Sequence, residues 1–306
     1  MIFNITADEA GLTVKKYLFD VLGYSCAAVK RVKYRDCGIM LNGERVTVRK
    51  VLAEGDILSV AIEDTEEDEN EYTVPAELDI GIVYEDEYLT VVNKPPMMPA
   101  HPSLGHKNDT VANALAWRYR DKPYVFRPVN RLDRDTSGVM LTARDKVTAG
   151  KLYRSMRRGE IKKSYIAVVE GVLPESKGRL VSYMCREGDS IVKRRICSED
   201  EPGAKIAVTE YEVVESNGKA SVVRATPVTG RTHQLRLHFA SCGCPIFGDT
   251  MYGNECEHIG RQALHASSLV FAHPQSGEML ELSAEVPADI RYLLDNLGFN
   301  IEKIKG

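Results

Sequence analysis

The sequence has no hydrophobic run close to the roughly 18 residues that a membrane-spanning helix requires. Its start, MIFNITADEA, lacks the basic patch and apolar stretch of a signal peptide. The seven cysteines are an odd number scattered along the chain, which argues against a disulfide framework. These absences predict a soluble cytoplasmic protein with reduced thiols and no membrane partner.

Metal ligands are also sparse. Four soft ligands lie close together in the sequence, but their spacing is C-x-C followed by C-x-H: Cys242, Cys244, Cys256 and His258. Structural zinc sites usually have two to four residues between paired cysteines, so one intervening residue is too tight. No metal site is therefore expected.

Negative charge is concentrated in one short part of the chain. The protein carries 40 Lys+Arg and 44 Asp+Glu, a formal net charge of −4. Residues 61–80 contain nine acidic residues and no basic one, so both flanking parts are mildly basic. The total charge therefore does not exclude an RNA partner, because it hides this asymmetry.

The length of 306 residues favours two domains. The acidic run around EDTEEDENE has almost no apolar content and is typical of a solvated linker. We predict a small module at residues 1–62, an acidic linker at 63–80 and a larger domain at 81–306. The alternative is an acidic surface loop within one domain.

The first 60 residues have the pattern of a compact helix–hairpin unit. Residues 13–22 and 25–37 have helical spacing, and the Asn42-Gly43 pair between two β-type runs predicts a hairpin. The second predicted helix carries four basic side chains that are candidates for phosphate contacts: Lys30, Arg31, Lys33 and Arg35. The alternative is a basic helix face that simply contacts solvent.

From residue 81, β-type runs outnumber helical stretches and do not alternate with them regularly. IVYEDEYLTVVNKPP predicts a hairpin, the Asn217-Gly218 pair predicts another tight turn, and helical spacing occurs at residues 109–120 and 145–158. This pattern indicates an α+β domain on a large, mainly antiparallel sheet with flanking helices.

The segment RPVNRLDRDTSGVMLTARD contains a dense group of loop residues followed by an apolar strand. Asp133 lies in this loop, with Arg131 and Arg134 close to it in the sequence. Because the loop runs directly into a strand, we expect the Asp133 carboxylate to be rigidly placed and yet open to a cleft. Such a carboxylate suits nucleophilic or electrostatic work on a sugar or base. A surface ion pair is the alternative on spacing alone.

A second group is PVTGRTHQLRLHFASCGCPIFGDTMYG. Thr232 is predicted to cap a helix from His233 to Ser241, which leaves Arg231 at the helix entrance. Arg231 could there meet a carboxylate from another element with two parallel hydrogen bonds. Alternatively, the basic side chains of this helix face solvent or phosphate.

Together these segments resemble RluA-type RNA pseudouridine synthases, a family named for the large ribosomal subunit. The resemblance covers nearly the whole larger domain and rests on four motifs in order: the RLDxxTSG loop, KKSYIAVVEG, TGRTHQLRLH and ALHA. The first 60 residues resemble an RNA-binding module known from a small-subunit ribosomal protein. One departure is Asn130, where the family loop more often has histidine.

The resemblance implies an isomerase that converts a uridine in RNA to pseudouridine without a cofactor. It assigns Asp133 as the nucleophile, at either ribose C1′ or uracil C6, and Arg231 as its partner. Tyr165 would stack on the base and help to remove the C5 proton. Substrate binding would involve these further side chains: Asn130, Arg131, Thr136, His233 and Leu264.

Several alternatives stay open at this point. The substrate is expected to be large-subunit ribosomal RNA, with transfer RNA as the alternative, and the protein is expected to be a monomer. A hydrolase with Asp133 and Asp135 as acid and base is disfavoured, because carboxylates two residues apart in a loop rarely flank one bond. An RNA-binding ribosome-assembly protein with a dormant catalytic domain is the remaining alternative.

Overall fold

The computed structural model describes residues 2–22, 29, 32–61, 73–103, 105–121, 124–188, 190 and 192–300. Lys30, Arg31, the start of the second predicted helix and most of the predicted acidic linker lie outside these ranges. In the described part of the chain, no helix has the length and hydrophobicity needed to span a bilayer.

The N-terminal part forms a four-stranded antiparallel sheet in the order β1-β4-β2-β3. A short helix, α1, continues into a π-helical segment at Tyr17–Val21, and residues 32–34 are helical as predicted. The bounds of these elements are β1 Ile2–Asn4, α1 Val14–Lys16, β2 Ile39–Leu41, β3 Glu44–Arg45 and β4 Ile57–Val60.

The predicted hairpin at Asn42-Gly43 is confirmed. Both residues have positive φ, 53° and 85°, as a tight two-residue turn requires. The Asn42 side chain also ties the turn to β4, because Oδ1 accepts a hydrogen bond from the backbone N–H of Ile57 at 2.7 Å. The turn therefore fixes the register of the small sheet.

The larger part is an eleven-stranded sheet in the order β11-β10-β12-β13-β9-β14-β8-β6-β5, with β15 paired to β14 and β7 to β8. Among the described strands only β14 and β8 pair in parallel, so the sheet is mainly antiparallel, as predicted. The strands are β5 Gly81–Glu85, β6 Leu89–Lys94, β7 Arg127–Pro128, β8 Ser137–Ala143, β9 Lys162–Glu170, β10 Lys177–Arg186, β11 Arg194–Cys197, β12 Lys205–Ser216, β13 Ala220–Pro227, β14 Leu264–Ala272 and β15 Met279–Ser283.

The helices that the structure describes beside this sheet are α2 Val111–Arg118, α3 Lys146–Arg157, α4 Gln234–Ser241 and α5 Ala288–Asn296. The first two match the predicted helices within a few residues. Asp145 begins α3 because its carboxylate accepts hydrogen bonds from the backbone N–H groups of Val147 and Thr148. The arrangement is the predicted α+β fold.

Strand β8 lies in the interior of the large sheet, and its seven residues are all buried. Gly138 has φ of 112°, and a Cβ there would lie 2.1 Å from the backbone oxygen of Ala266 on β14. Only glycine allows this approach of two parallel strands. The motif glycine is therefore structural, and it brings the loop before β8 close to the start of β14.

The small and large sheets have separate hydrophobic clusters. The smaller cluster includes Leu18 and Leu58, and the larger includes Leu141 and Val168. The described end of the predicted linker, residues 73–80, contacts α2. There the side chain of Asn113 donates a hydrogen bond to the backbone oxygen of Val74 at 2.7 Å. The division at residues 62 and 80 stays a prediction, to which the separate cores lend support.

Candidate active site

A cavity of about 810 Å³ lies where four parts of the large sheet meet. Its wall contains residues of the loop before β8, of β9, of the connection from β13 to α4 and of the start of β14. These are the segments that carry the four sequence motifs. The fold thus gathers into one cavity these predicted residues: Asn130, Arg131, Asp133, Thr136, Tyr165, Arg231, His233 and Leu264.

Asp133 lies in a loop that the protein holds at both ends. The backbone oxygen of Asp133 accepts a hydrogen bond from the N–H of Thr136, which closes a tight turn. Asn130 anchors the loop to β8, because its Oδ1 accepts from the N–H of Leu141 at 2.8 Å and its Nδ2 donates to the Val139 oxygen at 3.4 Å. Asn130 therefore positions the loop, and its amide is engaged with backbone.

Two buried cations donate hydrogen bonds to backbone oxygens of the same loop. Lys94 is fully buried, and its Nζ donates to the backbone oxygens of Pro95, Met98 and Arg134 at 2.7–2.8 Å. Burial lowers the pKa of Lys94 to about 7, but three carbonyl partners require the three hydrogens of an ammonium group. The carbonyl of the residue after Asp133 is thereby fixed.

The second cation is Arg261, whose guanidinium donates to both carboxylate oxygens of Asp289 on α5. Its Nη1 also donates to the backbone oxygen of Asp135 at 2.9 Å. Asp133, the candidate nucleophile, therefore lies on a loop whose backbone is fixed by hydrogen bonds. A catalytic side chain needs such support to keep its reactive geometry.

The nearest cation to the Asp133 carboxylate is Arg236, with Nη1 at 3.6 Å from Oδ2. Arg236 lies on α4 and is itself held by the buried Asp249, whose two oxygens accept from Nε and Nη2 at 2.6 Å each. This bidentate pair fixes the plane of the guanidinium. A rigid positive charge thus faces Asp133.

His233 also faces Asp133, with Nε2 at 3.9 Å from Oδ2. It precedes α4 in a left-handed conformation, with φ of 57°. Burial lowers the pKa of His233 despite the nearby Asp133, so the imidazole is neutral at neutral pH. Its Nδ1 lies 3.0 Å from the hydroxyl of Tyr252, which accepts a hydrogen bond from the N–H of Arg194 and is free to donate to Nδ1.

The expected pairing of Arg231 with Asp133 is wrong. Arg231 lines the cavity, but its Nε donates to the backbone oxygen of Ile206 at 2.8 Å, and Arg236 takes the predicted place. The predicted cap at Thr232 is also wrong, because α4 begins after His233. In the helix that the sequence predicts from His233, Arg236 lies three residues later, a spacing that would put both on one face and could have revealed it.

Tyr165 and Leu264 belong to the apolar part of the cavity wall. Tyr165 is 8% exposed, and burial together with the charge of Asp133 raises the pKa of its hydroxyl. Within the described residues this hydroxyl has no hydrogen-bond partner, and Tyr165 lines the cavity. Leu264 is buried at the start of β14, opposite Ala167 on β9.

The charge of the cavity is strongly asymmetric. Asp133 is the only acidic residue in the described cavity wall, which also contains five cations: Arg131, Arg134, Lys163, Arg231 and Arg236. Arg131 is exposed there. Lys33 is not part of this wall; it is exposed in the N-terminal unit, with Nζ 5.1 Å from the ring centroid of Tyr34.

Across the described ranges, no group of three or more histidine, cysteine and acidic side chains is close enough to hold a metal ion. Cys242 and Cys244 follow α4, and burial raises the pKa of both thiols. Protonated thiols bind metals poorly.

Comparison with known proteins agrees with this geometry. Residues 88–241 match the RNA pseudouridylate synthase family. The chain is 36% identical to the uncharacterized RNA pseudouridine synthase YjbO of Bacillus subtilis, over 92% of this chain and 98% of that protein. It is 34% identical to ribosomal large subunit pseudouridine synthase D of Haemophilus influenzae, over 84% of this chain and 78% of that protein.

The fold is similar to that of a solved structure, human RNA pseudouridylate synthase domain containing 4. The TM-score is 0.59 and the identity 26%, and the match covers 71% of this chain and 93% of that chain. The chain belongs to the RNA pseudouridine synthase family. It is accordingly an isomerase that acts on uridine in RNA.

Proposed function

We propose that this protein isomerises a uridine of large-subunit ribosomal RNA with Asp133 as its nucleophile. The observation that carries the assignment is the position of Asp133. It is the one carboxylate in the described wall of a cationic cavity, on a loop fixed by Asn130, Lys94 and Arg261. A rigid ionised carboxylate next to bound substrate is what nucleophilic attack needs.

The reaction exchanges one glycosidic bond for another. The N1–C1′ bond breaks and a C5–C1′ bond forms; C5 then loses its proton, and N1 gains one. Attack by Asp133 on ribose C1′ or on uracil C6 both satisfy this balance. Arg236 assists in either case, because its fixed guanidinium, with Nη1 3.6 Å from Oδ2, holds the carboxylate in one orientation before attack and after release.

Tyr165 and Leu264 would hold the uracil ring between them. The raised pKa keeps the Tyr165 hydroxyl protonated at neutral pH, so Tyr165 offers a stacking surface and a hydrogen-bond donor rather than a ready base. This modifies the expectation that it removes the C5 proton. The burial of both side chains favours a uridine that has left its helical stack to enter the cavity.

Arg131 is suited to contact the RNA around the extruded nucleotide. It is exposed in the cavity wall, and it immediately precedes the Leu132-Asp133 pair. In the N-terminal unit, Lys33 and Arg35 are the described members of the basic group predicted to contact RNA phosphates. Phosphate contacts of this kind supply affinity and position without reading sequence.

Two observations favour ribosomal RNA over transfer RNA. A relative that this chain matches over 84% of its length is named a ribosomal large subunit pseudouridine synthase. In addition, the N-terminal sequence resembles a ribosomal-protein module. Transfer RNA is the alternative substrate.

The deciding experiment is a map of pseudouridines in total RNA from cells with and without the gene. Loss of one or more pseudouridines from large-subunit ribosomal RNA is the expected result, and re-expression of the parent protein should restore them. Loss confined to transfer RNA would contradict the proposed substrate.

A further inference from the structure

Lys163 is a cation of the cavity wall that the proposed reaction does not use. It lies on β9 two residues before Tyr165, so both side chains are on the same face of the sheet. It is half-buried, and a Cβ built on Gly230 would lie 3.8 Å from its Nζ. The ammonium group therefore sits between β9 and the loop that leads to α4.

Within the described part of the chain, the ammonium group of Lys163 has no hydrogen bond and no ion pair. Burial lowers the pKa of its ammonium group, and no acidic side chain acts against this shift. Lys94, the fully buried lysine near the site, differs in this respect, because its Nζ donates hydrogen bonds to three carbonyl oxygens. A half-buried ammonium without a partner costs stability, so it is expected where a ligand supplies the missing anion.

The described wall of the cavity does not supply that anion. Asp133 is the only acidic residue of the described wall, and its nearest cationic neighbour is Arg236 rather than Lys163. Of the parts of an RNA substrate, uracil and ribose are neutral, whereas each linkage carries one phosphodiester charge. The cation is thus complementary to the backbone of the bound strand.

We propose that Lys163 binds a phosphodiester that flanks the extruded uridine, and so holds the target nucleotide in register with Asp133 and Tyr165. The assignment rests on the proposed function and deepens it. A contact to a group that does not react is equally strong before and during the reaction, so it lowers KM and leaves kcat unchanged.

The test compares Lys163→Met with the parent. The probes are transcripts of large-subunit ribosomal RNA and of transfer RNA, labelled with tritium at uridine C5, so that formation of the C5–C1′ bond releases tritium. Loss of one phosphate contact should raise KM about tenfold with kcat unchanged. The slope of log Kd against log salt concentration should become shallower by about 0.7.

Two variants serve as controls. Lys162→Met removes the same charge from the neighbouring exposed position, on the opposite face of β9, and should keep the parent's KM and salt slope. Lys163→Arg retains a cation and should keep most of the slope. The thermal midpoint of Lys163→Met should equal or exceed the parent's, because the variant replaces an unpaired half-buried charge with an apolar side chain of similar length.

An unchanged salt slope in Lys163→Met would overturn the assignment, whatever the change in activity. A fall in kcat at constant KM would also overturn it, because it would place Lys163 in the chemical step. If the parent releases no tritium from either transcript, the proposed function fails, while the salt slope still decides whether Lys163 contacts phosphate.

Discussion

Arg236 reaches Asp133 from a position that another carboxylate fixes. Its Nη1 lies 3.6 Å from Asp133, while its Nε and Nη2 bind both oxygens of the buried Asp249. The same guanidinium lies 5.2 Å from the ring centroid of Tyr252. These four contacts fix the orientation of the Arg236 guanidinium, so that its positive charge faces Asp133.

Arg236→Lys should therefore be far more damaging than Arg231→Lys. Lysine cannot form the planar pair with Asp249, so the charge facing Asp133 would lose its orientation. We expect a fall in kcat of about a hundredfold for Arg236→Lys and of less than about fivefold for Arg231→Lys. Tritium release under saturating RNA measures both, with circular dichroism as a check on folding. The opposite order of effects would restore Arg231 as the partner of Asp133.

Tyr165→Phe separates the ring from the hydroxyl. The hydroxyl has no partner in the described residues, so its removal should leave the thermal midpoint of unfolding unchanged or slightly higher. The ring still stacks on uracil, so RNA affinity should be retained, whereas kcat should fall at least about tenfold if the hydroxyl donates to the substrate. Parental kcat in this variant would show that the ring alone is needed.

Stability should depend on pH through His265. This imidazole is fully buried, with Nδ1 3.0 Å from the Ser137 hydroxyl and Nε2 3.1 Å from the backbone oxygen of Ala284. Burial lowers its pKa to about 4, against roughly 6.5 in the unfolded chain. The unfolded state thus binds the proton more readily, so this contribution is complete above pH 6.5 and is lost as pH falls toward 4.

The expected loss from His265 between pH 7 and pH 5 is about 2 kcal/mol of the free energy of unfolding. His265→Gln should be less stable than the parent at pH 7 but should lose about 2 kcal/mol less over the same interval. Urea unfolding at pH 7, 6 and 5 measures both. Parallel pH profiles for the two proteins would refute the assignment.

Removal of residues 1–62 should weaken RNA binding and make its salt dependence shallower, because the predicted phosphate contacts of the N-terminal unit are lost. The remaining chain should still fold, since the large hydrophobic cluster contains no described residue from the N-terminal unit. Filter binding at several salt concentrations measures the first effect and thermal unfolding the second. An unchanged salt slope would mean that the basic helix face contacts only solvent.

Local sequence patterns were sufficient to predict much of this fold. The Asn42-Gly43 turn, the buried strand after Asp133 and the α3 helix each depend on short-range rules of turn chemistry, hydrophobicity and capping. Local patterns could not predict that Asp133 and Tyr165 lie in one cavity, because they are 32 positions apart in the sequence and lie on different elements. That prediction depended on the family motifs.

The partner of Asp133 could not be predicted in the same way. Thr232 has the residue type of a helix cap, yet the chain begins α4 one residue later, after His233 in a left-handed conformation. Arg231 donates to the Ile206 carbonyl instead, and Arg236 lies opposite Asp133. The anchoring roles of Lys94 and Asn130 depend on carbonyls far along the chain and have no local signature.

The most direct test of the account is pseudouridine formation by Asp133→Asn. Asparagine keeps the size and hydrogen-bonding shape of the side chain but cannot act as an ionised nucleophile. RNA affinity should change little, because phosphate contacts supply most of it, and pseudouridine should become undetectable in a transcript that the parent modifies. Formation of pseudouridine by Asp133→Asn at a rate near the parent's would contradict the proposed mechanism.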